Sequence, residues 1–514
     1  MLHIKSKSPI NKLLVILAGL LLVYVCVATP IRHGDGHEYA ITVKALASTG
    51  IPRITSPIVE KIIVDIAQYP NVGYEFTIFN EILEGLSNNI SEKHGIFRDK
   101  DGNYYGYHFS TYPILVAITY IVLEQLGANV LKSFQITNGV IVIITGVVAV
   151  RLAGGNAKRN WNIIFSILAS GLVYYIQWTH PEVLLFCLVY LSCVAVFADR
   201  NILSLLAAAI ATSQTFSFVG LFAVLAVIIT HNQIAKKMHN MSTLLITSVI
   251  SATLCVSSPI FYFQHFGTPS LIAQFLDTDL ISINHFISIY VDLDQGLFIG
   301  APWMCAVFVA STVVYIVNRQ YLPLHTQALT VLLSSVIIVP LLSNPNVNSG
   351  ASVLQRYALF AGAPIAAWVG VYGVAPIGGR VIGAVLQGCG VVWMAVWGGP
   401  LAAEDNLGFK PWTSWIFSNF PALYSPEPGC FTGAREAECR KAPWSTARWV
   451  CEASQFLSTG LALLRRDCSR PGHSRLTSWL GGCARARCEA SHPAVGRKDL
   501  AGMRDTGGSI SMAH

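Results

Sequence analysis

The chain is poor in charge. Of its 514 residues only 12% are Asp, Glu, Lys or Arg, about half the roughly 25% of a soluble domain. Meanwhile 53% are hydrophobic and the mean hydropathy is +0.54. That balance excludes an ordinary water-soluble globular domain. The apolar runs lack the alternation of a barrel, so backbone hydrogen bonds within lipid must be met by helices. No unit recurs at a solenoid period, and no inverted pair of halves of the transporter kind is present. The first apolar run, 13–29, has no small-x-small site after it, so an uncleaved first helix is expected rather than a signal peptide. The net charge of +7 does not point to nucleic acid, because 13 of the 34 Lys and Arg lie in the last 85 residues. That tail holds six of the twelve cysteines but no zinc-binding spacing, with Cys483 and Cys488 lacking a matching pair. Residues 430–514 are therefore expected to be disordered or non-native.

Apolar stretches near the ~20-residue length of a bilayer span are frequent. They fall at about 12–29, 110–127, 133–153, 161–177, 182–198, 201–231 (one span or two short helices), 243–264, 297–318, 324–343, 352–373 and 379–398. The expectation is an all-α polytopic membrane protein of some ten to twelve spans, with residues 1–399 as the membrane domain and 400–429 as an extracytoplasmic segment. Lys5, Lys7 and Lys12 put the N-terminus in the cytoplasm. Residues 30–109 then form an early extracytoplasmic loop. Within it IVEKIIVDIAQ and FTIFNEILEGL read as short amphipathic helices lying along the surface. DKDGNYYGYH carries an Asp-Gly turn signal.

Polar groups gather at the outer ends of the runs. Asp35 and Glu38, with Tyr39 beside them, follow the first run. A carboxylate there can take a proton from a weakly nucleophilic hydroxyl, and apolar surroundings can raise its pKa toward working pH. An acidic helix start favoured by the dipole is the plainer reading. His108, Tyr112 and Pro113 open the second run; His180 and Glu182 precede a later one. Asp292, Asp294 and Gln295 stand before another, where two carboxylates two residues apart can hold a hard cation. Arg356, next to Tyr357, sits near the outer end of a late run, where a guanidinium suits a phosphate or snorkels toward headgroups. Together they suggest one cavity at the outer leaflet.

In order, these residues resemble a known family. An acidic D-x-x-E-Y cluster (Asp35 to Tyr39) is followed by HFSTYPILVAITYIVLEQLG, then Pro181-Glu182, then D-Q-G-L-F-x-x-x-P from Asp294, then Gln355-Arg356-Tyr357. Over about residues 10–425 this looks like the GT-C membrane glycosyltransferases, in the branch of protein O-mannosyltransferases and aminoarabinose transferases. Ser110, Thr111, Tyr112 and Pro113 replace that family's paired prolines and lysine, and D-G-H-E replaces adjacent carboxylates. The resemblance implies inverting transfer of a sugar from a polyprenyl- or dolichyl-phosphate carrier to an extracytoplasmic lipid, glycan or protein. It gives Asp35 as base, with Glu38 as its catalytic companion. Arg356 would meet the donor phosphate and Glu182 would be a second acidic contact. Tyr39, His108, Tyr112, His180, Asp294, Gln295 and Tyr357 would complete the substrate site. No metal ligand set is assigned, and Asp294 leaves a divalent cation open. The expected location is a bacterial inner membrane, with the site facing the periplasm. Two rivals remain, a transporter or flippase of a lipid-linked or anionic substrate and a glycan ligase or polymerase. A transporter should carry its charges at mid-membrane, whereas these stand at span ends.

Overall fold

In the computed structural model, the described residues are 15, 18, 19, 21–26, 35–69, 76–153, 157–235, 241–272, 283–292, 296–317, 322–343, 354, 356–373, 415 and 419. Asp294, Gln295, the 379–398 run, residues 400–429 (apart from Trp415 and Asn419) and the cysteine-rich tail lie outside them.

The described chain is mostly helical. Helix α1 (Gly36–Thr49) stops at Gly50, whose left-handed φ of 73° lets its N–H close on the Leu46 carbonyl. Helix α2 (Ser56–Gln68) starts with Pro57 in its first turn and buries Ile58, Val59, Ile62 and Ile66 along one face. Helix α3 (Phe76–Ser87) buries Phe79 and Ile82. The two amphipathic helices expected in the early loop thus exist, each with one face buried and the other exposed. Their apolar faces enter one core with Ile41, Val43, Tyr104, Tyr112 and Val116. Enough apolar side chains face inward to make the loop a packed subdomain.

A three-stranded antiparallel sheet was not expected. Strands β1 (Glu92–Lys93), β2 (Ile96–Arg98) and β3 (Tyr104–Gly106) are joined in that order. His94 and Gly95, both with positive φ, make the two-residue turn between the first two strands. The Asp-Gly signal is realised between β2 and β3. There Asp99 Oδ1 accepts from the N–H groups of Asp101 (2.9 Å) and Asn103 (2.7 Å), and Gly102 takes φ 84°.

Helices α4 (Thr111–Gln125), α5 (Ser133–Leu152) and α6 (Ala157–Leu168) follow. The run expected to continue to 177 ends early. Gly171, at φ 83°, turns the chain into a 3-10 turn over Leu172–Tyr175. Then come α7 (Glu182–Phe197), α8 (Asn201–Gln214), α9 (Val219–Ala235) and α10 (Met241–Phe266). The 201–231 run is two helices, broken at Phe216–Phe218. Helices α11 (Ile283–Val291), α12 (Leu297–Gly300), α13 (Pro302–Val317), α14 (Leu322–Ser343) and α15 (Arg356–Tyr372) complete the described elements. Helix α7 packs against α5, α8 and α15. It is buried along most of its length.

Among the described residues two helices, Val130–Leu152 and Ser242–Phe266, are long and apolar enough to cross a membrane. The second leaves Leu245, Ile246, Val249, Ile250 and Phe263 exposed.

Candidate functional site

Four segments distant in sequence meet at one place. Asp35 stands at the N-cap of α1, and its backbone carbonyl receives the N–H of Glu38 at 3.0 Å. The Asp35 side chain does not cap its own helix; it accepts the Tyr107 hydroxyl instead. Tyr107 and His108 follow β3 directly, so the sheet sets their position.

Glu38 is only 1% exposed. Its two oxygens take the backbone N–H of His108 at 2.9 Å and His108 Nδ1 at 2.6 Å. Gly106 makes room for that carboxylate, since a Cβ there would stand 2.1 Å from Glu38 Oε1. The His108 ring stacks on Tyr39 with centroids 5.0 Å apart and leans on Tyr107 at 4.0 Å. Tyr39 also touches His180, at 5.2 Å.

His180 and Glu182 reach the site on a non-helical stretch that Asn138 holds. The Asn138 amide donates to the carbonyls of Ile176 (3.1 Å) and Trp178 (3.0 Å), and its oxygen receives the Tyr112 hydroxyl at 2.9 Å. Glu182 opens α7, where the helix dipole favours a carboxylate. Its Oε1 lies 3.9 Å from His180 Nδ1 and 3.8 Å from Arg356 Nη1. Both spacings exceed a hydrogen bond. Glu182 Oε2 and Arg356 Nε are buried without a hydrogen-bond partner among the described residues.

Arg356 is the first residue of α15 rather than a residue within a span, and its guanidinium stands 5.4 Å over the Tyr357 ring. Leu354, just before it, is fully buried and its carbonyl receives the Tyr175 hydroxyl. The Leu354 side chain occupies space left by two glycines. A Cβ on Gly171 would come within 2.6 Å of it and one on Gly300 within 2.5 Å.

The electrostatics correct one expectation. Apolar surroundings do not lift Asp35 toward neutrality. Burial pushes its carboxyl up, but His108, His180 and Arg356, together with the Tyr107 hydroxyl, outweigh that and hold it at about 2. Asp35 is thus ionised at every physiological pH. Burial raises Glu38, against the pull of His108. Burial disfavours the His108 imidazolium, yet Glu38 and Asp35 raise its pKa above the ordinary histidine value.

Of the residues singled out in the sequence, Asp35, Glu38, Tyr39, His108, His180, Glu182, Arg356 and Tyr357 fall in this cluster. Two roles change. Glu38 is sealed beneath His108 and Gly106 with both oxygens hydrogen-bonded to His108, a place from which it holds that ring rather than facing open space. Tyr112 is fully buried, with its hydroxyl on Asn138 and its N–H on Gln214 Oε1 at 2.6 Å, so it braces helices and does not face a substrate. Asp294 and Gln295 lie outside the described residues. Tyr107 carried no separate signal in the sequence. Among the described residues no group of three or more His, Cys, Asp or Glu is arranged to hold a metal ion.

No protein-family model matches this chain, and comparison with curated proteins and with solved structures finds no significant match in either.

Proposed function

We propose that the protein is an integral-membrane glycosyltransferase of the GT-C kind. It moves a sugar from a polyprenyl-phosphate carrier to an acceptor hydroxyl or amine outside the cytosol. The observation that carries this reading is the pairing of an always-ionised carboxylate, Asp35, with a nearby guanidinium, Arg356, whose Nε is unpartnered among the described residues. A proton acceptor beside an anion-binding group is what this transfer needs.

In the reaction the acceptor oxygen (or nitrogen) bonds to the sugar's anomeric carbon as that carbon's bond to the phosphate oxygen breaks. The electron pair leaves with the carrier phosphate, and Asp35 takes the acceptor's proton. A carboxyl held at about 2 is a weak base by itself. A donor phosphate on Arg356 cancels part of the positive field that holds Asp35 down, so the base strengthens when the donor is bound.

Polytopic insertion, ten to twelve spans, a site facing the outer leaflet and a bacterial inner-membrane location belong to the same reading. Exposed apolar side chains support it: Ile114, Ile118 and Val122 on α4, and Val309, Val313 and Ile316 on α13. Their three-to-four-residue spacing lines one face of each helix, as lipid contact demands.

The test uses the full chain in nanodiscs with a radiolabelled polyprenyl-phosphate sugar and scores release of carrier phosphate. The wild type should release it, and Asp35→Asn should not, while still inserting and folding. Undiminished release by Asp35→Asn would remove the assigned base.

A further inference from the structure

Arg356 accounts for one positive contact in the site, but a second group is arranged as if for the same anion. His108 is fixed more firmly than a histidine that merely packs. Its backbone N–H and its Nδ1 are both committed to Glu38, and its ring is held between Tyr39 and Tyr107. That leaves one polar atom, Nε2, with no hydrogen bond among the described residues, on a side chain that is 18% exposed. A carboxylate on Nδ1 fixes the other nitrogen as the outward-facing one, and keeps it a donor while the ring is protonated.

We infer that His108, oriented by Glu38, is a second and titratable contact for the donor's phosphate, acting beside Arg356. This rests on the glycosyltransferase reading above. Glu38 is then a positioning residue, and the rim of the site offers the phosphate one permanent and one switchable cation. The groups facing His108 are Asp35, Glu38 and Tyr39 from α1, Tyr107 from its own segment, His180 and Glu182 at the start of α7, and Arg356 from α15. Two carboxylates and the loose Glu182 balance the cations, so an incoming phosphate finds donors already paired and oriented.

The consequence is a particular pH dependence. The sugar-bearing donor is a phosphodiester with a single fixed charge, whereas the sugar-free carrier is a monoester that loses its second proton near pH ~6, which strengthens the carrier's hold on Arg356 as pH rises. The imidazolium is present below its raised pKa and is lost above it, which weakens the hold. Affinity should therefore rise and then fall.

The experiment titrates polyprenyl monophosphate, the carrier without its sugar, into the full chain in nanodiscs from about pH 5 to about pH 9. The wild type should lose about tenfold or more in affinity on the alkaline side, the worth of one charge-assisted hydrogen bond. His108→Gln should lack the falling limb. His108→Lys, a cation that does not titrate in this range, should keep tight binding to the alkaline end. Glu38→Gln should move the falling limb to lower pH, a shift that a merely structural role would not produce. If His108→Gln fails to fold, wild-type protein with ring-labelled histidine serves. The imidazole resonance that is missing in His108→Lys should titrate at higher pH once the carrier phosphate is bound. An unmoved resonance, or a His108→Gln profile identical to the wild type, overturns the inference and leaves the glycosyltransferase reading intact. Absence of carrier binding by the wild type at every pH overturns that reading, and the inference with it.

Discussion

Arg356 Nη1 faces Glu182 Oε1 across 3.8 Å, too far for a hydrogen bond and too near for either charge to ignore the other. A buried pair at that spacing is under-bonded: Glu182 is 2% exposed, and one oxygen of it has no partner among the described residues. The arrangement stabilises the fold less than a close pair would, and it leaves both groups able to accept a third.

Removing one partner strands the other. Arg356→Leu should lower stability by about 2 kcal/mol, because Glu182 loses its buried counter-charge and must take up a proton to stay buried. Arg356→Leu combined with Glu182→Leu should recover most of that loss without recovering donor binding. Thermal unfolding in detergent, read beside a carrier-phosphate titration, separates the two. A double variant no more stable than the single one would contradict the assignment of strain to the lone carboxylate.

Asp35 makes stability depend on acid. Its folded pKa of about 2 lies below the ordinary 3.8. The stabilisation is therefore complete above about pH 4 and is lost as pH falls through the folded value. The amount is roughly 2 kcal/mol. Unfolding midpoints of the wild type should decline between about pH 4 and about pH 2, and Asp35→Asn should decline less. Parallel curves would refute the field ascribed to His108, His180 and Arg356.

Gly106→Ala probes the seat of Glu38. The added methyl group would stand 2.1 Å from a carboxylate oxygen that is locked by two hydrogen bonds. The carboxylate must move, so both bonds weaken at a cost of about 2 kcal/mol. On the glycosyltransferase reading proposed above, carrier release should fall at least tenfold. Glu38→Asp, one methylene shorter, should restore part of the loss in the same chain. Normal stability and turnover in Gly106→Ala would show the seat to be slack.

A second polar cluster lies apart from this chemistry. Lys44 is 3% exposed and binds Asp65 Oδ2 at 3.1 Å, Glu124 Oε1 at 3.0 Å and the Tyr120 hydroxyl at 2.7 Å, tying α1, α2 and α4 together. Lys44→Met should destabilise the subdomain of α1, α2 and α4 by about 3 kcal/mol, since Asp65 and Tyr120 lose their buried cation. Hydrogen exchange should quicken in α1 and α2 before it does in α7. Uniform quickening through the whole chain would mean that these helices do not open as a unit.

Much of the site was legible because charge is scarce in this sequence. Where so few polar groups interrupt apolar runs, Asp35, His108, His180, Glu182 and Arg356 each stood out at a run's end, and the structure joins them. What was hidden depends on contacts distant in sequence. Strands of two or three residues carry no readable period, so the sheet that places His108 was missed. Tyr107 looked like one more interfacial aromatic. Whether Asp35 would be raised or lowered could not follow from local composition, because the deciding charges, His108, His180 and Arg356, arrive from far along the chain. Gly171 marked the early end of α6, but a lone glycine in an apolar run reads equally as part of a span.

The seat of Leu354 reaches further than its own contacts. Its side chain is lodged against Gly171 and Gly300, and Arg356 begins its helix two residues later. The two hydrogen-only positions work as a gauge that sets how far the guanidinium projects. Neither glycine touches the clustered ionisable groups, yet a single methyl on either would shift the bolt and carry the cation with it. Sensitivity to substitution in this molecule should therefore appear at sites that look, by chemistry alone, to have nothing to offer.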